Sequence, residues 1–205
     1  MVTQTTELHE ERLDRACALL RGTGAQRILD LGCGSGALLQ RLLETGHFRA
    51  VTGLEKSGIS VRDARRRLAD WLHKPETPLS LLQGSLLEPN PVLCGYDAAA
   101  LIEVMEHIPP HVLSSLEQAV FAGYRPRFLF VTTPNREYNP LFGLGPGEFR
   151  DPDHQFEWDR SRFRQWVTGV ARRNGYEVRI GGIGEADQDL GSPTQTAWFT
   201  LAGRF

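Results

Sequence analysis

Two short stretches of this 205-residue sequence carry side chains whose types and spacing could do chemistry. In Ile102-Glu103-Val104-Met105-Glu106-His107 two carboxylates and an imidazole fall at i, i+3 and i+4, so a helical stretch would set them on one face. Carboxylates that close repel unless a proton or a cation joins them, and the imidazole completes a mixed oxygen and nitrogen donor set. Such a set suits Mn²⁺, Fe²⁺ or Co²⁺ better than the all-oxygen sites of Mg²⁺ or Ca²⁺. A fourth ligand could come from Asp151-Pro152-Asp153-His154. The plain alternative is a solvated helix face, where this charge spacing is common.

The second stretch is Asp30-Leu31-Gly32-Cys33-Gly34-Ser35-Gly36. Glycines on alternate positions let the backbone approach a ligand closely and turn sharply into a following helix. The spacing G-x-G-x-G differs from the G-x-G-x-x-G of dinucleotide binding, and no Gly-Lys-Ser/Thr follows as in a P-loop. Nicotinamide, flavin and triphosphate ligands are therefore argued against. Downstream, Glu55 could accept two hydrogen bonds from a cis-diol. A glycine turn needed only for packing is the alternative.

Both stretches need elements to position them, and the sequence supplies an alternating series. Helical patterns cover residues 7–21, 37–43, 57–70, 110–122 and 160–174, and strands are expected at 27–31, 50–55, 79–82, 97–102 and 128–132. Strands separated by helices predict an α/β fold, a doubly wound and mostly parallel sheet whose ligands bind at its carboxyl edge. Residues 134–152 hold four prolines, three glycines and no periodicity, so a long functional loop is expected there. Two last strands, 176–183 and 194–201, have no room for a helix between them and should be antiparallel. The expectation is one Rossmann-like domain over residues 1–205, with seven strands and a substrate and metal loop at about 133–159.

Composition narrows the function class. Hydrophobic residues are 40% and charged residues 23% of the chain, which fits a globular protein. With 23 basic against 25 acidic residues the net charge is −2, so a nucleic-acid partner has to be read from a site rather than from bulk charge. The longest apolar runs, 98–102 and 128–131, are far below the roughly 18 residues of a membrane span, and the polar start carries no secretion signal. Cys17, Cys33 and Cys94 are odd in number and lack CxxC spacing, so a cytoplasmic location and no membrane partner are expected.

The glycine stretch resembles the first motif of the class I S-adenosylmethionine-dependent methyltransferases. That resemblance implies S-adenosylmethionine on Asp30, Gly32, Gly34 and Gly36, its ribose on Glu55 and its adenine near Ser85. Three further motifs, at 102–107, Thr-Thr-Pro-Asn-Arg-Glu-Tyr-Asn at 132–139 and Arg-Asp-Pro-Asp-His-Gln-Phe-Glu-Trp-Asp-Arg at 150–160, resemble the small-RNA 3′-terminal 2′-O-methyltransferase family, and within it the bacterial RNA-repair branch. The resemblance covers nearly the whole chain. It implies that Glu103, Glu106, His107 and His154 hold one divalent ion, Mn²⁺ or Mg²⁺, and serve catalysis on an RNA 3′ end with a free 2′,3′-diol. An RNA end-healing and ligation protein is the further partner it implies.

The chain departs from the family pattern at Asp151, where a histidine is common, and at Gly84-Ser85-Leu86-Leu87-Glu88, which lacks the usual Tyr-Arg-Asp after the serine. The length leaves no room for the N-terminal domain of some bacterial relatives, so an excised domain or a shorter stand-alone form is expected. Two other functions stay open on the residues alone. One is a metal-free small-molecule methyltransferase with Glu106 and His107 as acid and base. The other is a cofactor-binding subunit without catalysis. Phe156 and Trp158 beside Arg160, Arg162 and Arg164 could stack on bases, or could belong to the core.

Overall fold

Successive side chains of a strand point to opposite faces, and in β1 (Arg27–Leu31) both faces are buried: Leu29 and Leu31 on one side, Ile28 on the other. That is why the strands read as continuous apolar runs rather than as alternating ones. The computed structural model describes residues 2–203; residue 1 and residues 204–205, the ends of the expected domain, lie outside the described residues. β2 (Ala50–Glu55), β3 (Leu79–Gln83), β4 (Ala98–Ile102), β5 (Phe128–Pro134), β6 (Tyr176–Ile183) and β7 (Thr194–Leu201) complete a seven-stranded sheet of order β3-β2-β1-β4-β5-β7-β6. The first five strands run parallel, and β7 is antiparallel to both β5 and β6. This is the doubly wound α/β fold expected from the sequence, antiparallel close included.

One face of the sheet is covered by α1 (Val2–Gly22) and α2 (Ala37–Glu44), which bring Leu13, Ala16, Leu20, Leu39 and Leu42 against Ile28, Val51 and Phe130. On the other face α6 (Arg160–Asn174) and the segment 110–124 pack Phe121, Phe163 and Val167 against Leu101, Val131 and Phe199. The expected helix at 57–70 is two pieces, α3 (Gly58–Arg67) and α4 (Ala69–Leu72), because Leu68 leaves helical geometry at φ −102°. The expected helix at 110–122 begins as a 3₁₀ turn, continues as α5 (Leu113–Glu117) and widens to a π-helix at Gln118–Tyr124. Within the long loop, Arg136–Phe142 forms 3₁₀ turns, opened by the Asn135 side chain accepting from the Glu137 N–H.

Candidate active site

The glycine stretch leaves β1 at the carboxyl edge and enters α2. Its backbone needs left-handed geometry at Gly32 (φ 80°) and Gly34 (φ 51°), which side chains rarely adopt. A Cβ on Gly32 would lie 2.5 Å from a Val104 methyl, whereas one on Gly34 would meet only open space. The first glycine is thus required by packing as well as by its backbone, and the second by its left-handed backbone alone. Glu55, at the end of β2, accepts from the Gly34 N–H (3.0 Å) and the Ser57 N–H (2.7 Å), which ties its carboxylate to the loop.

Asp30 sits on the Ile28 face of β1, 3% exposed, and its Oδ2 has no hydrogen-bond partner among the described residues. Burial, with the Glu55 charge second, pushes its carboxyl up to about 7. A buried acid with a free oxygen is costly unless a cation or donor meets it. Ser85, after β3, accepts from the Leu87 N–H at 3.1 Å and shapes the turn there.

The second group of residues follows β4. Glu103 has φ 52°, unusual for a side-chain-bearing residue, and Met105–His107 is a single 3₁₀ turn rather than the helix that would align all three. Ligand atoms of Glu106, His107 and His154 lie within 4.8 Å of one another, and the two imidazole rings are 4.7 Å apart. His154 is carried there by the long loop, which is pinned where the Gln155 N–H donates to the Glu106 carbonyl at 2.7 Å. Glu103 lies beside this trio with its carboxylate engaged elsewhere, accepting from Thr132 Oγ1 (2.8 Å) and pairing with Arg12 (3.1 Å).

Glu106 is fully buried. Its Oε2 accepts from Thr133 Oγ1 at 3.0 Å, and its Oε1 has no partner among the described residues. Burial first and the Glu103 charge second hold its carboxyl well above the ordinary carboxylate range. A Glu106 carboxylate oxygen and one nitrogen from each of two imidazoles at this spacing are a donor set that fits a divalent transition ion.

Sequence reading missed the residues that orient these groups. Glu157, 3% exposed, takes the His154 Nδ1 at 2.6 Å, so the ring's Nε2 is the nitrogen left for a ligand. Burial alone would raise Glu157, but hydrogen bonds from His154, Asn139 and the Arg150 N–H together hold it below its usual range. Arg150 reaches the Asn139 side chain and the carbonyls of Pro193 and Asn135, clamping the loop to the sheet edge; burial lowers it to about 10, so it keeps its charge at neutral pH. Arg12 arrives from α1, far away in sequence, and no local spacing announces it. The H-x-x-E pattern of His154 and Glu157 was the signal available for the other. Phe156 and Trp158 stack on each other at 4.4 Å against the core, so those rings are spent on packing.

Among known proteins, a family of sequences described as a methyltransferase domain matches residues 29–122. The small RNA 2′-O-methyltransferase of Gallus gallus is 32% identical over 204 residues, which is 95% of this chain and 54% of that protein. This chain therefore spans about half the length of such curated relatives. The crystal structure of the methyltransferase domain of bacterial CtHen1 is 40% identical, superposes with a TM-score of 0.86, and is covered over its full length by 96% of this chain. The Pnkp1/Rnl/Hen1 RNA repair complex gives a likeness of fold alone, at 20% identity and a TM-score of 0.68 over 94% of this chain and 41% of that one.

Proposed function

The chain belongs to the Hen1 family of small-RNA 2′-O-methyltransferases, and from that premise we propose that it transfers a methyl group from S-adenosylmethionine to the 2′-hydroxyl of the 3′-terminal nucleotide of RNA, using one divalent ion. The observation that carries the reading is the buried Glu106 carboxylate, one oxygen unpartnered, beside His107 and His154. Glu106, His107 and His154 would hold the ion, with Glu103 as the fourth ligand once its carboxylate leaves Arg12. A bound Mn²⁺ or Mg²⁺ would supply Lewis acidity that lowers the pKa of the acceptor hydroxyl.

In the reaction the ribose oxygen attacks the methyl carbon in line, a C–O bond forms, the C–S bond breaks, and the sulfonium sulfur leaves as a neutral thioether. The hydroxyl proton goes to solvent or a nearby base. The chain's own part is to hold the two reactants in that line. Asp30, Gly32, Gly34, Gly36, Glu55 and Ser85 would cradle the cofactor, with Asp30 answering its positive charge and Glu55 turning to its ribose diol. Glu157 would keep His154 in one tautomer and Arg150 would fix the loop at 133–159, within a single methyltransferase domain spanning 1–205.

The acceptor would be an RNA end with a free 2′,3′-diol, and an end-healing and ligation protein is the proposed partner. No described helix is long and apolar enough to cross a membrane, and with Cys17, Cys33 and Cys94 free the cytoplasm is the proposed compartment. The test is methyl incorporation from labelled S-adenosylmethionine into one RNA bearing a 2′,3′-diol, a 3′-phosphate or a 3′-deoxy end. Label on the 2′-oxygen of the diol substrate alone is expected, abolished by a chelator and restored by Mn²⁺. Label on a base, or full activity in chelator, would overturn the reading.

A further inference from the structure

Beyond the cradle and the metal-ligand cluster, the carboxyl edge of the sheet has a hollow of about 230 Å³ that neither uses, lined by Arg160 and Arg164 of α6, Gly181 and Gly182 of β6, and Ser192 and Gln195. None of its lining residues is acidic. A neighbouring hollow, by contrast, is lined by Glu7, Glu11 and Glu185, as expected of a chain with a net charge of −2. Arg160 and Arg164 lie one turn apart on the same helix face. Arg160 is already engaged by the Glu137 carboxylate (2.7 Å) and the Asp189 carbonyl (2.6 Å). Arg164 is exposed and has no ion pair or hydrogen bond among the described residues. Gly181 and Gly182 are exposed; the space beside Gly182 is filled by Ser192, 2.6 Å from where a Cβ would sit, so the polar groups offered beside Arg164 include the Ser192 side chain.

The register fixes where the hollow sits. Thr133, which donates to Glu106, pairs with Gln195 on β7, and Gln195 pairs with Gly182 on β6. Two strand spacings make that about 10 Å. A stacked single strand covers such a distance in about three nucleotides.

We propose that this hollow binds the sugar-phosphate backbone of the RNA, with Arg164 contacting one phosphodiester within the last few nucleotides before the methylated end. The inference rests on the RNA reading above. It makes the enzyme prefer a short oligonucleotide over an isolated nucleoside, and it adds no base recognition, because the contact falls on a phosphate.

The test uses single-stranded RNA oligonucleotides in which each of the last four linkages is replaced in turn by an uncharged methylphosphonate, with binding read by fluorescence anisotropy. Arg164→Ala should weaken binding about five- to tenfold, with partial rescue in Arg164→Lys. It should also reduce the slope of log affinity against log salt by about 0.7, the share of one phosphate contact. S-adenosylmethionine affinity and melting temperature should not move. One uncharged linkage should cost the wild type a similar factor and cost Arg164→Ala nothing more. Wild-type affinity in Arg164→Ala, or an equal penalty at every linkage in both proteins, overturns the inference while leaving RNA methylation intact. Failure of the wild type to bind or methylate any RNA overturns both readings.

Discussion

The proposed cofactor cradle and the candidate metal-ligand cluster share one device and differ in how the chain builds it. Each centres on a buried acid with one unpartnered oxygen, Asp30 Oδ2 and Glu106 Oε1. Asp30 is set by strand register, and the glycine turn beside it follows without a break, so most of the cradle comes from neighbouring residues. The cluster is assembled from the turn after β4, the end of β5 and a loop residue nearly fifty positions away, and it is held by Glu157, Arg150 and Arg12. A locally built site tolerates change elsewhere in the fold. A site assembled over distance depends on every clamp that closes it.

The largest expected effect separates the two regions. On the proposed reading Glu106→Gln and His154→Ala should lower methyl transfer by about a thousandfold or more, since each would remove a ligand of the ion proposed to lower the barrier by several kcal/mol. Cofactor affinity should stay within about twofold in both. Without added metal, Glu106→Gln should also keep or raise the melting temperature, because it replaces a buried carboxyl whose ionisation the fold disfavours with a neutral group of the same shape. Calorimetric titration and thermal unfolding check both points, and loss of cofactor binding in either variant would mean that the regions are one site.

The next effect belongs to the cradle and is read by pH. Asp30 has its carboxyl raised from 3.8 to about 7, chiefly by burial, so the folded state keeps a proton that the unfolded chain has lost. The stability this group contributes is full below the unfolded value, falls as pH rises through about 7 and is gone above it. Unfolding free energy should therefore fall by on the order of a few kcal/mol between about pH 4 and pH 7, with a flatter slope in Asp30→Asn. An unchanged slope in that variant would show that Asp30 is ionised in the fold.

A third substitution tests whether the regions can be kept apart at all. Gly32 belongs to the cradle, yet the atom its missing Cβ would strike is on Val104, between Glu103 and the turn that carries Glu106. Gly32→Ala should cost about 1–3 kcal/mol of stability for the left-handed backbone and the clash. It should also weaken both cofactor and Mn²⁺ binding, which titration of each ligand separately would reveal. Undisturbed Mn²⁺ binding would confine the strain to the cradle.

The same contrast explains what the sequence let one read. The strand positions, the antiparallel close and the glycine turn after β1 follow from local period and spacing, and the structure places them as expected, with Glu55 ending β2. Glu106 and His107 are near one another as their spacing suggested, although by a 3₁₀ turn and not a helix, and His154 joins them from the long loop, as the resemblance to the family implied. Glu103 was read with them on helical spacing, but its left-handed backbone turns its carboxylate to Thr132 and Arg12. Arg12 and Arg150 were illegible because a buried cation is specified by acceptors from distant segments. Phe156 and Trp158 could not be assigned because a stacking platform and a core pair look alike in sequence.

The smallest effect concerns Ser85, where a structural and a ligand role coexist in one hydroxyl. Its oxygen accepts from the Leu87 N–H, which leaves the O–H proton free to donate. Losing the accepted bond alone should cost about 0.5–1.5 kcal/mol of stability in Ser85→Ala. If the proton also meets an adenine ring nitrogen, cofactor affinity should fall a few-fold as well, but a turn that merely relaxes would do the same. A double-mutant cycle separates the two. S-adenosylmethionine and its deaza analogues, each lacking one ring nitrogen, are titrated into wild type and Ser85→Ala. A direct contact predicts that one analogue binds both proteins equally, because the partner is already gone. Equal losses for every analogue would assign Ser85 to the turn and leave the adenine to be held by shape, which again sets a locally built cradle against a cluster that needs each of its distant partners.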